Sequence, residues 1–211
     1  MYTPKAFEMN DLSTIVKFIR EHSFGILFSQ HGKEPFATHL PFLLDEHKYE
    51  QGVLISHMAK ANPHWKDLDN KEVLVVFSGP HAYISPSWYE EPNHAPTWNY
   101  ISVHVYGKFR RIENSDQIKE IISNTVQYYE SPLPDPWTVN YDNKFINGLM
   151  NGLIAFEIKI DKLEGTCKLS QNHSTLKQKR LVRGLKSFNQ NDSYEIGRII
   201  EKRLTQGDIL E

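Results

Sequence analysis

The stretch WNYISVHVYGKFRRI, residues 98–112, constrains the fold more than any other part of the sequence. We place Ile101, Val103, Val105 and Phe109 on one face of this segment, and Asn99, Ser102, His104 and Lys108 largely on the other. Alternation with a period of two is the pattern of a β-strand, because successive side chains of a strand point to opposite faces of the sheet. The segment therefore predicts a long strand in a protein organised around a sheet.

Six further segments have the composition of strands, with β-branched and aromatic residues bounded by turn residues. They are residues 24–30, 35–44, 52–58, 72–79, 82–85 and 152–160. The turns between them, such as HGK and EEPNHAP, are mostly short, and too few helices intervene to build repeated βαβ units. We therefore expect an antiparallel barrel in a mainly β protein with helices (α+β).

Helical periodicity occurs near both ends of the chain and once in its middle. Residues 10–22 place apolar side chains at helical spacing behind Asn10 or Asp11, either of which could cap the helix. Further helices are predicted over residues 114–129, 143–149, 172–187 and 192–205. We expect residues 1–165 to form a barrel domain with an N-terminal helix, and residues 166–211 to form a helical extension that packs on it.

The charge balance excludes binding to nucleic acid or membranes through an overall electrostatic field. Lysine and arginine number 24, aspartate and glutamate number 26, and the net charge is −2 at pH 7. The longest apolar run, VLVVF, is far shorter than a membrane span, and no apolar leader opens the chain. The single cysteine, Cys167, cannot form an intramolecular disulfide, which suits a reducing compartment. We therefore expect a cytoplasmic protein without a membrane partner.

Common catalytic motifs are absent from the sequence. It contains no GxGxxG, GxxxxGK[ST], GxSxG or HExxH pattern, so it gives no support for a dinucleotide fold, a P-loop, a serine hydrolase or a zincin. The ten histidines are spread over different predicted elements without a short ligand spacing. We therefore expect no metal site, and we assign no catalytic residue.

The segment ISHMAKANPHWKDL predicts a strand that turns into a helix, with Asn62 as N-cap and Pro63 at the first helical position. The free N–H groups of such a helix start favour an anion, and Ser56, His57 and Lys60 would add donors and charge. One interpretation is therefore a phosphate site. The other is that Asn62 and Pro63 only begin a helix while Lys60 is solvated.

Aromatic side chains cluster in the segments GPHAYISPSWY and PTWNYISVHVYG. Tyr83, Trp88, Trp98 and Tyr100 lie close together in sequence around a proline-rich loop. Their flat apolar surfaces with polar edges suit a planar ligand or a subunit interface. Packing at the end of the barrel, as part of the core, explains the same residues.

A basic segment lies near the C-terminus. From Gly165 to Asn191 the chain carries no acidic residue, and its lysines and arginines give a local charge of +6. On the predicted helix, these cations could contact the phosphates of a nucleic acid. They could equally form a solvated face paired with acidic residues elsewhere. The candidate contacts to DNA or to a protein partner are Lys177, Lys179, Arg180, Arg183 and Lys186.

Several of these segments together resemble a known family. ATHLPFLL, ISHMAKANPHW, GPHAYISPSWY, PTWNYISVHVYG and KLSQN are similar, in this order, to successive signatures of the PaiB family. Its members are described as FMN-binding negative regulators of transcription that affect protease synthesis and sporulation. The resemblance covers nearly the whole chain. It implies an FMN-binding split barrel, related to pyridoxamine phosphate oxidases, in which a homodimer holds FMN at its interface.

The resemblance also implies cofactor contacts in this sequence. The phosphate and ribityl chain of FMN would meet Ser56, His57, Ala59, Lys60 and Asn62. In the related oxidases an arginine usually stands beside the lysine of this turn, where this chain has histidine and methionine. The flavin ring would lie among His39, Pro41, Tyr83 and Ser85, with Trp98, Asn99 and Tyr100 from the second subunit, and Lys168, Ser170 and Gln171 would close the site.

Three classes of function follow from the sequence. The first is a PaiB-like negative regulator, in which FMN or another ligand shifts a dimer that represses transcription directly or through a partner. The two C-terminal helices are separated by about seven residues, more than a helix-turn-helix uses, which disfavours direct contact with an operator. The alternatives are a flavin-dependent oxidoreductase of the pyridoxamine phosphate oxidase-like class and a haem-binding or haem-degrading split barrel.

Overall fold

The computed structural model describes residues 1–188, 190 and 192–206. In chain order its elements are β1 (Glu8–Met9), α1 (Leu12–Glu21), β2 (Phe24–His31), β3 (Glu34–Pro41), β4 (Leu43–Asp45), β5 (Val53–Ala59), β6 (Glu72–Ile84), β7 (Thr97–Ile112), α2 (Ser115–Glu130), α3 (Lys144–Met150), β8 (Leu153–Lys168), α4 (Thr175–Phe188) and α5 (Ser193–Gln206). The strands form one sheet in the order β3-β2-β6-β7-β8-β5-β4, and β1 pairs with β8. The pairings of β2 with β3 and β6, and of β5 with β4 and β8, are antiparallel. The prediction of a mainly β protein with helices is therefore confirmed.

Three strand boundaries differ from the predictions. The predicted strand 35–44 is divided at Phe42, because the chain before it pairs with β2 and the chain after it pairs with β5. The two strands predicted between residues 72 and 85 are one strand, β6, whose buried row shifts by one position at Ser78 and Gly79. Strand β8 continues to Lys168, well beyond its predicted end at residue 160.

The five helices predicted over residues 10–22, 114–129, 143–149, 172–187 and 192–205 are confirmed, and each of the first three is capped by a side chain of its own sequence. Asp11 accepts from the Thr14 N–H at 2.7 Å, Asn114 caps α2, and Asn143 caps α3. Residues 189–192 separate α4 from α5. This spacing agrees with the predicted bounds of the two helices, and the expected separation of about seven residues is wrong. Residues 207–211 of the predicted extension lie outside the described residues, and its boundary at residue 166 stays a prediction.

The chain divides into two compact units. The first contains Met1–His22, Phe77–His104 and the chain from Glu164 onward. Its core includes Phe18 and Ile19 of α1, with Leu185 of α4 and Ile200 of α5, all fully buried. Over the described chain, no helix is long and apolar enough to cross a membrane.

The second unit contains Ser23–Val76 and Val105–Leu163. Its core includes Leu27 of β2, Leu54 of β5, Phe109 of β7 and Phe156 of β8, which are fully buried. The rings of Phe109 and Phe156 stack with their centroids 4.6 Å apart. The antiparallel pairing of β5 with β8, from Val53 opposite Lys159 to Ala59 opposite Leu153, sets the position of the turn that follows β5.

Candidate functional site

The turn that follows β5 is tied to β3 by the side chain of Asn62. Asn62 Oδ1 accepts from the His64 N–H at 3.0 Å and caps the short helical turn Pro63–Trp65. Asn62 Nδ2 donates to Thr38 Oγ1 at 3.2 Å. The cap predicted from the sequence is therefore confirmed, and its side chain has a second role in joining the turn to the sheet.

The helix predicted after Asn62 is wrong, because only the single 3₁₀ turn Pro63–Trp65 forms. Lys66 is already extended, with φ −64° and ψ 135°, and Asp67 has a positive φ of 63°. A helix dipole is the sum of many aligned peptide units, so one turn cannot supply it. Positive charge at this turn comes from the side chain of Lys60 instead.

Two side chains, one at the end of β5 and one in the turn after it, are suited to hold an anion. Lys60 is exposed, and the chain carries no acidic residue between Glu50 and Asp67. His57 Nδ1 is buried and has no hydrogen-bond partner among the described residues. Burial lowers the pKa of His57, so the ring is neutral at pH 7 and can donate one N–H. A ligand oxygen at Nδ1 would remove an unsatisfied buried polar group.

The other predicted contacts of this unit lie on β3 and β5. The Ser56 hydroxyl is buried and donates to the Pro41 carbonyl at 2.6 Å, which joins the ends of the two strands. Ala59 is exposed at the end of β5, and His39 is exposed on β3. The His39 ring stacks on Phe24, 6.3 Å between centroids, and Phe24 is 64% exposed. Sequence reasoning missed Phe24, since only the hairpin register places it opposite Pro41.

The predicted aromatic residues of the first unit include an exposed pair. Tyr83 and Trp98 meet edge to face with ring centroids 6.1 Å apart, and they are 37% and 47% exposed. Tyr100 is half-buried on the same strand as Trp98. Ser85 accepts from the Ser87 N–H at 3.3 Å and caps the turn Pro86–Tyr89. Exposed aromatic surface of this kind suits a planar ligand or an interface better than a core.

Asn99 is fully buried, which contradicts its expected place on the polar face of the long strand. It donates from Nδ2 to Ser170 Oγ at 3.0 Å, and the Tyr89 hydroxyl lies 3.4 Å from the same oxygen. Ser170 has a positive φ of 57°, so the chain turns sharply there. The polar group of Asn99 is tolerated in the interior because it is hydrogen-bonded.

Lys168 and Gln171 flank this turn. Lys168 Nζ donates to Thr97 Oγ1 at 2.6 Å. Gln171 accepts from the Leu169 N–H at 2.7 Å and donates from Nε2 to the Cys167 carbonyl at 2.5 Å. These bonds fix the segment between β8 and α4.

The predicted cofactor contacts are thus divided between the two units. The second unit carries His39, Pro41, Ser56, His57, Ala59, Lys60 and Asn62, and the first carries Tyr83, Ser85, Trp98, Asn99, Tyr100, Lys168, Ser170 and Gln171. Their assignment as contacts of a bound cofactor stays a prediction.

The basic side chains of α4 are mostly paired with acidic residues of their own unit. The pairs are Lys177 with Glu91 at 2.9 Å, Arg180 with Glu90 at 3.1 Å and Glu91 at 3.2 Å, Arg183 with Glu90 at 3.4 Å, and Lys186 with Glu201 at 2.5 Å. Arg180 also donates to the Tyr89 carbonyl at 3.0 Å. Lys179 is exposed. The sequence left two interpretations open, contact with nucleic-acid phosphates and pairing with acidic residues. The structure shows the pairing.

Residues 1–162 match the model of a family described as "Putative FMN-binding domain". The chain therefore belongs to this family of FMN-binding proteins, and the match confirms FMN as the cofactor. Among its relatives is the "Protease synthase and sporulation protein PAI 2" of Bacillus subtilis (strain 168). The two are 34% identical over 211 residues, which cover 97% of this chain and 98% of the relative. The resemblance to the PaiB family is thereby confirmed.

Two solved structures show the fold. The flavocytochrome Anf3 from Azotobacter vinelandii aligns with a TM-score of 0.56 at 14% identity, over 77% of this chain and 69% of its own. The FAD and haem binding protein from Mycobacterium smegmatis aligns with a TM-score of 0.56 at 10% identity, over 76% and 73%. At these identities the likeness concerns the fold alone. With the family match, it confirms the predicted FMN-binding split barrel.

The side chains present fit FMN. A phosphate requires a cation and N–H donors, and Lys60 of the turn and the unpartnered His57 Nδ1 near the end of β5 are of these kinds. A flavin ring requires flat apolar surface, and Phe24, Tyr83 and Trp98 are aromatic and exposed. Within the described part of the chain, no group of three or more His, Cys, Asp or Glu side chains could hold a metal ion.

Proposed function

We propose that this protein is an FMN-binding negative regulator of the PaiB type that affects protease synthesis and sporulation. One observation carries the proposal: the relative named for protease synthesis and sporulation matches 97% of this chain, whereas the flavin-family match ends at residue 162. The relationship therefore includes the helices α4 and α5, which lie beyond the flavin-family match. A flavin enzyme that shared only the cofactor domain would lack this extension.

The proposed working form is a homodimer with FMN at the subunit interface. In support, Phe24 and Trp98 expose about half or more of their large apolar side chains, 64% and 47%. Such surface is typical of a site that a ligand or a second subunit covers. The bound FMN would supply an electron-accepting ring, and the residues of this chain would hold and orient it.

The proposed route of repression is through a protein partner rather than through direct contact with an operator. The basic side chains of α4 are already paired with Glu90, Glu91 and Glu201, which leaves less positive charge for DNA phosphates. The short separation of α4 from α5 would permit a helix-turn-helix. The argument against direct contact with an operator therefore rests on charge and not on loop length. A cytoplasmic location remains part of the proposal.

Transcription from a protease promoter tests the regulatory role. In a Bacillus subtilis strain that lacks its own PAI 2 protein, expression of this chain should lower the output of a protease-promoter reporter and of secreted protease. Unchanged output from a well-expressed, FMN-loaded protein would contradict the proposal. Steady consumption of NADH or NADPH by the same preparation would then favour a flavin-dependent oxidoreductase, and an intense haem absorption band would favour a haem protein.

A further inference from the structure

His64 is a fully buried imidazole that joins three segments of the second unit. Its Nε2 lies 2.8 Å from Ser29 Oγ on β2, and its Nδ1 lies 2.7 Å from Thr38 Oγ1 on β3. Its ring also packs against Phe36, with centroids 4.7 Å apart. His64 itself belongs to the turn that follows β5, two residues after the capping residue Asn62. The turn is therefore attached to two neighbouring strands through one side chain.

The proton positions in this cluster follow from Asn62. Its Oδ1 accepts the backbone N–H of His64, so its amide nitrogen faces Thr38 and donates to the hydroxyl. The Thr38 hydroxyl then keeps its own proton to donate to His64 Nδ1, and His64 Nε2–H donates to Ser29. Each polar atom of the cluster is satisfied when His64 is the neutral Nε2–H tautomer. Burial, with His31 as a lesser cause, lowers the pKa of His64 to about 4, which agrees with a neutral ring.

We propose that His64 and Thr38 are positioning residues for the turn that holds the FMN phosphate. They fix the backbone of residues 59–65 against β2 and β3, so that Lys60 meets the phosphate in one geometry, while the pairing of β5 with β8 holds His57. This inference rests on the proposed assignment of the phosphate to that turn. Neither His64 nor Thr38 is proposed to touch the cofactor.

The physical reason is preorganisation. Lys60 is a long exposed side chain, and its backbone is held by two bonds: its N–H donates to the Gly152 carbonyl at 2.7 Å, and its carbonyl accepts from Trp65 at 3.1 Å. Trp65 ends the same 3₁₀ turn that His64 attaches to the strands. An anion site with few donors loses affinity when those donors must be ordered during binding. Loosening His64 should therefore weaken phosphate binding, although no contact to the phosphate is removed.

Thr38→Val tests this directly, because it removes the hydroxyl shared by His64 and Asn62 and keeps the shape of the side chain. The affinity for FMN should fall about fivefold to tenfold, while the affinity for riboflavin, which lacks the phosphate, should stay unchanged. Thr38→Ser restores the hydroxyl and should restore the preference for FMN. If Thr38→Val does not fold, Ser29→Ala replaces it as the test, since it removes the Nε2 partner and should cause a smaller loss in the same direction.

The controls separate the assignment of the phosphate to this turn from the positioning role of His64 and Thr38. The wild-type protein should bind FMN more tightly than riboflavin, and Lys60→Ala should lose that preference. No preference in the wild type would overturn the assignment of the phosphate to this turn. A preference that Lys60→Ala removes but Thr38→Val and Ser29→Ala retain would overturn the positioning role and leave the site intact. An equal loss of FMN and riboflavin binding in Thr38→Val would also overturn it.

Nitrogen-15 spectra of the histidine side chains provide an independent measurement. They should show His64 as the Nε2–H tautomer at pH 7 in the wild type. An Nδ1–H tautomer would contradict the arrangement of donors on which the proposal rests.

Discussion

Asn99 and Trp98 are neighbours on β7 with opposite surroundings. Asn99 is fully buried and bonded to Ser170, whereas Trp98 is 47% exposed beside Tyr83. Asn99→Ala should lower the free energy of unfolding by about 1–3 kcal/mol, because it removes a buried side chain that is hydrogen-bonded to the Ser170 hydroxyl. Trp98→Ala should change stability by less than about 0.5 kcal/mol and reduce flavin affinity. Urea unfolding and flavin titration of both variants check this pair. The reverse pattern would contradict the assigned roles.

His64 also makes stability depend on pH. Its pKa is about 4 in the folded protein, below the ordinary value of 6.5, because burial disfavours the cation. As the pH falls, His64 therefore takes up a proton in the unfolded chain at a higher pH than in the folded chain. The contribution of the neutral ring is complete above pH 6.5 and is lost as the pH falls from 6.5 towards 4, by up to about 3 kcal/mol. Urea unfolding of the wild type over this range should show the loss. His64→Gln should show less of it, and identical slopes would contradict the prediction.

The sequence predicted the side chains of the site that act on neighbouring residues of the chain. It missed those that meet only when distant segments come together. Asn62 was recognisable as a cap because an asparagine before a proline is a helix-start signal. Thr38 and Ser29 carry no such signal, because they meet His64 only after β2, β3 and the turn have come together. The same holds for Phe24, whose exposure beside His39 depends on the register of the β2–β3 hairpin.

At the scale of elements, α4 packs so closely on the segment before β7 that one glycine is required. A Cβ atom on Gly184 would overlap the indole ring of Trp88. Alanine usually stabilises a helix interior by about 1 kcal/mol relative to glycine. Gly184→Ala should instead lower the free energy of unfolding by about 1–3 kcal/mol, because the helix must move away from Trp88.

Gly148 in α3 is the matched control for Gly184. A Cβ atom there would meet no neighbour within 4 Å. Gly148→Ala should therefore leave stability unchanged or raise it by up to about 1 kcal/mol. Thermal unfolding of the two variants provides the comparison. Stabilisation of both would show that Trp88 does not pack against α4 as described.

The accuracy of the element predictions depended on how far each local pattern extended. Strand β7 was evident from the alternation of its apolar and polar residues. The helix caps were evident because aspartate and asparagine are typical N-cap residues. The continuity of β6 was missed because its buried row changes phase at Ser78 and Gly79, which breaks a simple period of two. The helix after Asn62 was overestimated, because a cap and a proline mark where a helical turn starts and not how long it runs.

At the scale of the whole molecule, charge distribution sets the expected behaviour towards DNA. The net charge is −2, and most of the basic side chains of α4 are bonded to acidic neighbours. We expect weak, sequence-independent retention of DNA that disappears near about 0.15 M salt. The double variant Glu90→Gln and Glu91→Gln frees Lys177 and Arg180 and should bind DNA more strongly at low salt. Promoter-specific binding by the wild type that survives physiological salt would contradict this prediction.

The cofactor and the dimer could not have been predicted from spacing alone. FMN was predicted as the cofactor from the resemblance of whole segments to a family, and the family match confirms this prediction. A site shared between subunits leaves no pattern in one chain, because its contacts join residues that neither sequence order nor a strand pair brings together.

The most direct measurement is a titration of the purified protein with FMN, followed by flavin fluorescence, with the mass of the same sample determined by light scattering. The account predicts a dimer that binds one FMN per subunit, with binding weakened by Lys60→Ala. A folded protein that binds no FMN at cofactor concentrations well above micromolar would contradict the central claim, and a monomer that binds FMN stoichiometrically would contradict the shared site.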